Sequence, residues 1–310
     1  MPSAASDQAS APLVSIITPT FNMGGRLDRC IASVRAQTYP EIEHIVIDAG
    51  STDETLDVLG ASDVHWISEP DRGQSDAINK GLRLATGDIR GWLNADDTLF
   101  PRSIELVVDA VRRTPTAGLV YGDIDQVVLG VSRRVVPSPD FSFADLWQGN
   151  RLSQPGTFWT RWAQEVVGEI DEEFHLAMDF ELWLRFAKAR IPAVYVPEML
   201  ARFEVHDDSK TGSQTALAFA EEEARALRKH GEIHGAAMVF DRWYWNEVKG
   251  EIADAAAKGR YSEMSAIARR SLPRMRSVYS RTRWFLWLTR FAPRIAARVE
   301  KAVVSGSRMR

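Results

Sequence analysis

Short apolar runs alternate with helical patterns through the first hundred residues of the chain. Residues 13–19, 42–47, 64–68 and 89–93 are mainly apolar and too short to form helices, so they predict four strands, of which the first and fourth are buried. Apolar residues recur at helical spacing after the first strand, at Leu27, Ile31 and Val34. Strands that alternate with helices predict an α/β fold with a doubly wound, mostly parallel sheet.

Polar residues stand at or just after the ends of these predicted strands. They are Thr18, which is followed by Pro19, and Asp48, Asp71, Asp96 and Asp97. The carboxyl ends of parallel strands meet at one edge of a sheet, where α/β proteins bind ligands, so we expect these residues to share a rim. Two adjacent carboxylates there suit a hard divalent cation, and the alternative is a solvated Asp-Asp turn. After the second strand, Ser51 or Thr52 is predicted to cap a helix.

Composition and sequence motifs argue against several classes of protein. The chain has no glycine-rich fingerprint after the first strand and no P-loop motif, which argues against a dinucleotide oxidoreductase or a P-loop enzyme. Its one cysteine, Cys30, cannot build a disulfide framework. No apolar run approaches the roughly twenty residues that span a bilayer. Residues 1–12 predict a disordered lead without a secretory signal, and we expect a cytoplasmic protein.

Charge is distributed unevenly along the chain. Residues 258–310 contain 14 Lys or Arg and 2 acids, although the whole chain has a net charge of -4. Residues 281–293 mix arginines with aromatic residues, which is compatible with contact with an anionic membrane surface. The alternative is a helical hairpin that packs on the catalytic domain or on a second copy of the chain. We expect no nucleic-acid partner, because the body is acidic and shows no nucleic-acid-binding motif.

Four blocks in a fixed order, at residues 14–22, 33–40, 45–53 and 93–97, together resemble the family 2 glycosyltransferases. The resemblance implies a GT-A domain at residues 13–212, followed by a helical, basic extension at residues 213–310. It implies an inverting transferase that moves a sugar from a nucleotide-diphosphate donor to a glycan acceptor attached to a lipid, in cell-surface polysaccharide synthesis. The alternatives are transfer to a polyprenyl phosphate, or a catalytically silent scaffold that binds sugar nucleotides.

The resemblance also implies roles for residues at the rim. Thr18, Pro19 and Asp48 would hold the nucleotide, with Asp71 on the donor side. Asp97 would bind the divalent cation, Mg²⁺ or Mn²⁺, and Asp96 would lie near the donor ribose or sugar.

Two departures from the family pattern limit this transfer of roles. Ala49 stands where many members have an acid that contacts the base, and Ile78 stands where many have an arginine. Arg72 or Lys80 would have to supply the missing positive charge. The alternative for Lys80 is a solvated helix lysine.

The second half of the site is expected between residues 147 and 212. Asp179 opens an apolar helical pattern, and periodicity alone favours a cap or a first-turn acid there. The segment resembles the family's Asp-x-x-x-Trp block, which implies that Asp179 is the catalytic base. Trp159 is either a sugar-stacking platform on the acceptor side or a core aromatic.

Residues 202–212 resemble a loop that closes over donor phosphates in relatives. In that loop His206 would complete the metal shell or contact the diphosphate, and Lys210 would pair with phosphate. The alternative for His206 is a structural histidine.

Overall fold

A computed structural model of the chain gives the fold. It describes residues 11–139, 141–142, 146, 149–207, 209–213, 216–271 and 289. The strands are β1 (Val14–Thr20), β2 (Ile42–Asp48), β3 (His65–Ser68), β4 (Ile89–Trp92), β5 (Thr98–Leu99), β6 (Leu119–Val128), β7 (Val131–Val135), β8 (Thr157–Thr160) and β9 (Ala193–Val205). The helices are α1 (Gly24–Arg35), α2 (Thr55–Gly60), α3 (Gln74–Leu84), α4 (Ser103–Arg113), α5 (Arg161–Val167), α6 (Met178–Lys188), α7 (Lys210–Ser213), α8 (Ala216–Lys229), α9 (Ile233–Ala257) and α10 (Tyr261–Ser271).

The four predicted strands of the first hundred residues are confirmed as β1 to β4. They lie side by side in the order β3-β2-β1-β4, and each neighbouring pair is parallel. All seven residues of β1 are buried, as the apolar run predicts for a strand with neighbours on both sides. The predicted α/β class with a mostly parallel sheet is also confirmed.

The second half of the sheet mixes strand directions. β8 is antiparallel to both β4 and β6, and β9 is parallel to β6. β4, β6 and β9 therefore run in the same direction, and their carboxyl ends lie at the same edge as those of β1 and β2. β5 and β7 are antiparallel additions to β9 and β6.

Helix α3 lies unusually close to β1. A Cβ atom built at Gly81 would collide with the side chain of Ile17, so only glycine allows this approach. Ile17 and Ile78 are both completely buried. The C-terminal half of α3 is therefore held directly against the middle of β1.

The predicted cap of the second helix is wrong. α2 begins at Thr55, beyond Ser51 and Thr52, and the Oδ1 atom of Asp53 accepts a hydrogen bond of 3.0 Å from the backbone N–H of Thr55. The hydroxyl of Ser51 instead donates to Asp48. Ser51 is thus committed to the turn after β2.

Two compact units can be distinguished. The first contains the described residues before 144 together with residues 151–212, and the second contains the described residues of 144–150 and those after 212. Helices α8, α9 and α10 belong to the second unit. The functional division at residue 213 stays a prediction, and residues 281–288 and 290–293 of the basic aromatic segment lie outside the described residues. Within the described part of the chain, no helix is long and apolar enough to cross a membrane.

A two-residue turn joins β6 to β7. Val128 pairs with Val131, and both residues between them have positive φ angles, 49° at Leu129 and 77° at Gly130. Positive φ at both central positions is typical of the type I′ hairpin turn, which favours Asn or Gly. Leucine at the first position therefore strains the backbone, and its side chain is 87% exposed.

Replacing this leucine should stabilise the hairpin. We expect Leu129→Asn to raise the free energy of unfolding by about 1 kcal/mol, because asparagine tolerates positive φ and little buried surface is lost. Leu129→Val is the matched control and should lower the stability, because a β-branched residue is disfavoured there. Urea denaturation of the three proteins tests this, and a lower stability of the asparagine variant would contradict it.

Candidate active site

A cavity of about 680 Å³ opens at the carboxyl edge of the parallel strands. Its wall is built from the segments that follow β1, β2, β3 and β4 and from residues near the end of β9. The lining residues are Pro19, Thr20, Phe21, Met23, Ala49, Asp71, Gly73, Gln74, Ala77, Asn94, Ala95, Asp96, His175, Phe203, Ser209, Lys210 and Thr211. The sheet edge predicted to hold the site therefore does carry a cavity, as expected for an α/β fold.

Asp96 lines the cavity and contacts His206, which is not itself among the lining residues. The Nε2 atom of His206 lies 3.1 Å from Oδ2 of Asp96, and the side chains are 14% and 12% exposed for His206 and Asp96. The Nδ1 atom of His206 is buried without a hydrogen-bond partner. Asp96 follows β4 and His206 follows β9, so the shared strand direction brings them together.

Asp97 lies behind the wall. Its side chain is completely buried, its Oδ2 accepts 3.1 Å from the Asn94 amide, and its Oδ1 accepts 3.3 Å from the Glu204 backbone. Burial raises the pKa of Asp97 well above its ordinary value, and the charge of Asp96 raises it further. The assignment of the metal to Asp97 does not fit this position. Asp96 lies in the turn after β4 and lines the cavity, whereas the side chain of Asp97 is enclosed by Asn94 and the backbone of Glu204.

A divalent cation fits this arrangement only in part. Among the described residues, no group of three or more His, Cys, Asp or Glu side chains could hold a metal ion. Asp96 in the cavity wall and the adjoining His206 offer two ligands. Mg²⁺ is often bound in proteins by one or two carboxylates together with substrate phosphates and waters, so two protein ligands are compatible with such a cation.

Thr18 and Asp48 are also buried behind the wall rather than in it. The hydroxyl of Thr18 forms a hydrogen bond of 2.9 Å with Nε2 of His44. The carboxylate of Asp48 accepts hydrogen bonds from the backbone N–H groups of Gly50 and Ser51 and from the hydroxyls of Ser51 and Ser68. A direct role of these two residues in donor binding does not fit, because both side chains are engaged inside the protein. Asp48 shapes the turn that carries Ala49 into the wall.

Four of the predicted donor-binding residues do line the cavity: Pro19, Asp71, Asp96 and Lys210. The Oδ1 atom of Asp71 accepts 2.8 Å from the N–H of Gly73, and Nζ of Lys210 donates to the backbone oxygen of His175 at 2.7 Å. Lys210 is thus a cation placed at the wall.

Arg72 and Lys80 do not line the cavity. Arg72 is 72% exposed and forms ion pairs with Asp76 and Glu172. Nζ of Lys80 lies 2.8 Å from Glu69. The positive charges of Arg72 and Lys80, which were predicted to face the donor, therefore pair with acids of the protein itself.

Sequence analysis missed a set of polar residues at the wall. Oγ1 of Thr20 is buried and has no hydrogen-bond partner. Oδ1 of Asn94 accepts 2.7 Å from Gln74, and its amide donates to Gln154, which in turn donates to the Trp92 backbone. Only their positions in the sequence could have indicated a role at the cavity. Thr20 ends the first strand and Asn94 precedes the acid pair, but neither side chain is charged.

Asp179 lies in the first turn of α6 and is not its cap, since the helix begins at Met178 after Ala177. Its Oδ1 accepts 2.7 Å from the N–H of Phe180, and the residue is partly exposed. The hydroxyl of Ser75 donates to the Phe174 backbone and contacts Sδ of Met178 at 3.0 Å, which ties the start of α6 to the first turn of α3. Asp179 is not among the residues that line the cavity.

Trp159 is a core residue. It is 1% exposed, its Nε1–H donates to Gln164, and its ring packs against those of Trp92, Trp183 and Phe186. A sugar cannot stack on a ring that is enclosed in this way, so the predicted platform does not fit the structure.

Comparison with known proteins identifies the family. Residues 15–160 match the model for glycosyl transferase family 2. A protein named as an uncharacterized glycosyltransferase of Mycobacterium tuberculosis is 34% identical over 234 residues, which cover 73% of this chain and 85% of the relative. The chain belongs to glycosyltransferase family 2. The matched segment contains β1 to β4 and Asp96, and it ends before Asp179, His206 and Lys210.

Other relatives of this glycosyltransferase are more distant. The PGL/p-HBAD biosynthesis glycosyltransferase of Mycobacterium bovis is 27% identical over 208 residues, or 63% of this chain and 77% of the relative. The structure of S. aureus TarS 1–349 in complex with UDP-GlcNAc has a TM-score of 0.59 at 15% identity and covers 95% of this chain and 92% of TarS. The mannosyltransferase PcManGT from Pyrobaculum calidifontis, in complex with GDP-Man and Mn²⁺, has a TM-score of 0.55 at 20% identity and covers 94% and 87%. These likenesses support the fold.

The glycosyltransferase should lose stability in mild acid through His44. Burial lowers the pKa of His44 from 6.5 to about 4. The unfolded chain therefore binds a proton that the folded protein excludes, and stability falls as the pH drops from about 6.5 towards 4. Between pH 7 and pH 5 this costs roughly 1–2 kcal/mol.

Urea denaturation at pH 7 and pH 5 measures this loss. His44→Gln keeps a polar partner for Thr18 but cannot be protonated, so its stability should change less between the two pH values. Equal losses in the two proteins would show that other groups cause the acid sensitivity.

Proposed function

We propose that this glycosyltransferase transfers one sugar from a nucleotide-diphosphate donor to a glycan acceptor attached to a lipid, with inversion of the anomeric centre. The observation that carries the proposal is that Asp96, which lines a cavity on the carboxyl edge of the sheet, lies in contact with His206. This pair combines a carboxylate and an imidazole, which are ligands for a divalent cation.

The wall of the cavity supports a nucleotide-diphosphate donor. Lys210 places an ammonium group there, and the unpartnered hydroxyl of Thr20 is available to a polar group of the ligand. Phe21 is 55% exposed at the wall and offers an aromatic surface. In the donor site we place Pro19, Thr20, Asp71 and Lys210, whereas Asp48 and Thr18 support the wall from behind.

Asp96 and His206 would hold Mg²⁺ or Mn²⁺ in this proposal. When bound, such a cation neutralises the charge that develops on a departing diphosphate. Asp96 supplies a carboxylate oxygen and His206 a ring nitrogen, and Asp97 keeps the turn after β4 in place. The cation role is thereby moved from Asp97 to Asp96.

Asp179 is proposed as the base that accepts the proton of the acceptor hydroxyl. Inversion by a single displacement needs one base and no nucleophilic carboxylate. Asp179 is partly exposed at the start of α6, and its neighbour Met178 contacts Ser75 in α3. The adjoining residues of α3 include Gln74 in the cavity wall, so the helix start that carries the carboxylate is connected to the wall.

The two adjacent acids should respond differently to mutation. Asp96→Asn should weaken Mn²⁺-dependent donor binding by about tenfold or more, because an amide is a poor ligand for a divalent cation. Asp97→Asn should change that affinity by less than about threefold and cost about 1 kcal/mol of stability through one poorer hydrogen bond. Thermal shift with a panel of UDP-, GDP- and dTDP-sugars, with and without Mn²⁺, identifies the donor and then compares the variants. Loss of Mn²⁺ dependence in Asp97→Asn alone would contradict the assignment to Asp96.

Asp179→Asn tests the base. Donor affinity should be unchanged, and turnover should fall by about 100-fold or more because no group accepts the hydroxyl proton. Nucleotide release in the presence of a glycolipid acceptor measures turnover. Glu169→Gln, which removes an exposed acid paired with Arg83, is the control and should keep normal turnover. Near-normal turnover in Asp179→Asn would place the base elsewhere.

A further inference from the structure

The tip of the β6–β7 hairpin is apolar and exposed. We use the name hairpin tip for residues 128–131. Val128, Leu129 and Val131 are 41%, 87% and 69% exposed, respectively. Single exposed apolar residues are common on protein surfaces, but three in four consecutive residues on a protruding turn form a patch.

The fold of the hairpin does not require this apolar patch. Leu129 has a φ of 49°, a conformation that glycine or asparagine adopts more readily. Its side chain is almost fully in solvent, so burial within this chain does not compensate the backbone strain. Within the described part of the chain, no contact explains a leucine at position 129. A contact with a partner outside the chain would explain it.

The hairpin tip lies at the same sheet edge as the cavity. Val128 pairs with Val205 in the parallel register of β6 and β9, and His206 is the next residue after Val205. His206 in turn contacts Asp96 at the cavity. The last pair of the β6–β9 ladder is thus one residue from the proposed cation site, and the turn continues outward from there.

The acids beside the hairpin tip, Asp125 and Glu204, form ion pairs with Arg202 and Arg29, and the charged residues of the segment that carries the tip are arginines. Residues 126–139 contain two arginines, Arg133 and Arg134, and no acid. Arg134 pairs with the buried Asp123, whereas Arg133 is exposed two residues beyond Val131. Apolar side chains followed by an arginine suit a bilayer interface, where the apolar groups enter the acyl region and the guanidinium contacts lipid phosphates.

We propose that the hairpin tip inserts into the surface of an anionic bilayer and holds the mouth of the cavity against the membrane. The purpose of this contact rests on the proposed lipid-linked acceptor, whose lipid stays in the bilayer while its glycan enters the cavity. The insertion itself needs neither donor nor acceptor, so it can be tested separately from the reaction.

A single fluorescent label tests the insertion. Cys30 is fully buried, and burial raises its pKa to about 12, so a cysteine introduced at the surface is the reactive thiol of the folded chain. Leu129→Cys is labelled with an environment-sensitive dye and mixed with phosphatidylcholine vesicles, with or without phosphatidylglycerol. The matched control is Val166→Cys, at a 60% exposed valine of α5.

We expect the dye at position 129 to shift to the blue and brighten with phosphatidylglycerol vesicles, and the dye at position 166 to remain unchanged. No response at position 129, or equal responses at both positions, would overturn the proposal. A response at position 129 that depends on protein concentration without vesicles would also overturn it, because a second copy would then cover the tip. If vesicles bind the protein while the dye at 129 is silent, another segment is the anchor.

A double variant separates this proposal from the proposed reaction. Leu129→Asn with Val131→Thr should reduce co-sedimentation with anionic vesicles by about tenfold or more, because two apolar contacts are lost. Donor hydrolysis in the absence of vesicles should be unchanged, since neither residue lines the cavity. Unchanged co-sedimentation would refute the insertion without bearing on the proposed reaction. Loss of donor hydrolysis would show that the hairpin tip is part of the active site, which would contradict the proposal.

Discussion

Strand direction is the constraint on which the site depends. β8 runs antiparallel between β4 and β6, so β6 and β9 regain the direction of β1, β2 and β4. Residues that are more than a hundred positions apart in sequence, Asp96 after β4 and His206 after β9, therefore end at one edge. This double reversal of strand direction brings Asp96 and His206 together. A sheet built only from parallel strands would need a crossover segment before each further strand to reach the same arrangement.

Behind the cavity, several carboxylates and amides serve as scaffold. Asp48 is enclosed by hydrogen-bond donors of its own turn, and Asp97 is held by Asn94 and the backbone of Glu204. Buried polar groups must find partners within the protein, and these bonds fix the loops that follow β2 and β4. The polar groups that face the cavity, such as Asp96 and Thr20, are consequently those with less complete internal bonding.

The first half of the fold follows from local patterns, because each strand of β1 to β4 is a compact apolar run. The mixed second half does not, since the pairings of β8 with β4 and of β6 with β9 join distant segments. Sequence likewise located the rim but not the direction of each side chain on it. Thr18, Asp48 and Asp97 carry suitable chemistry at suitable positions, yet their side chains are buried and form hydrogen bonds within the protein. Trp159 was open to two interpretations because an aromatic residue suits both a core and a sugar site.

Gly81 has a consequence for the breadth of the cavity. Helix α3 rests directly on Ile17 at this glycine, and the opposite end of the same helix supplies Gln74 and Ala77 to the wall. The helix is stiff, so one added methyl group at position 81 would tilt or lift it and displace those wall residues about two turns away. The absence of a side chain at position 81, in the interior of the protein, therefore helps to set the width of the cavity.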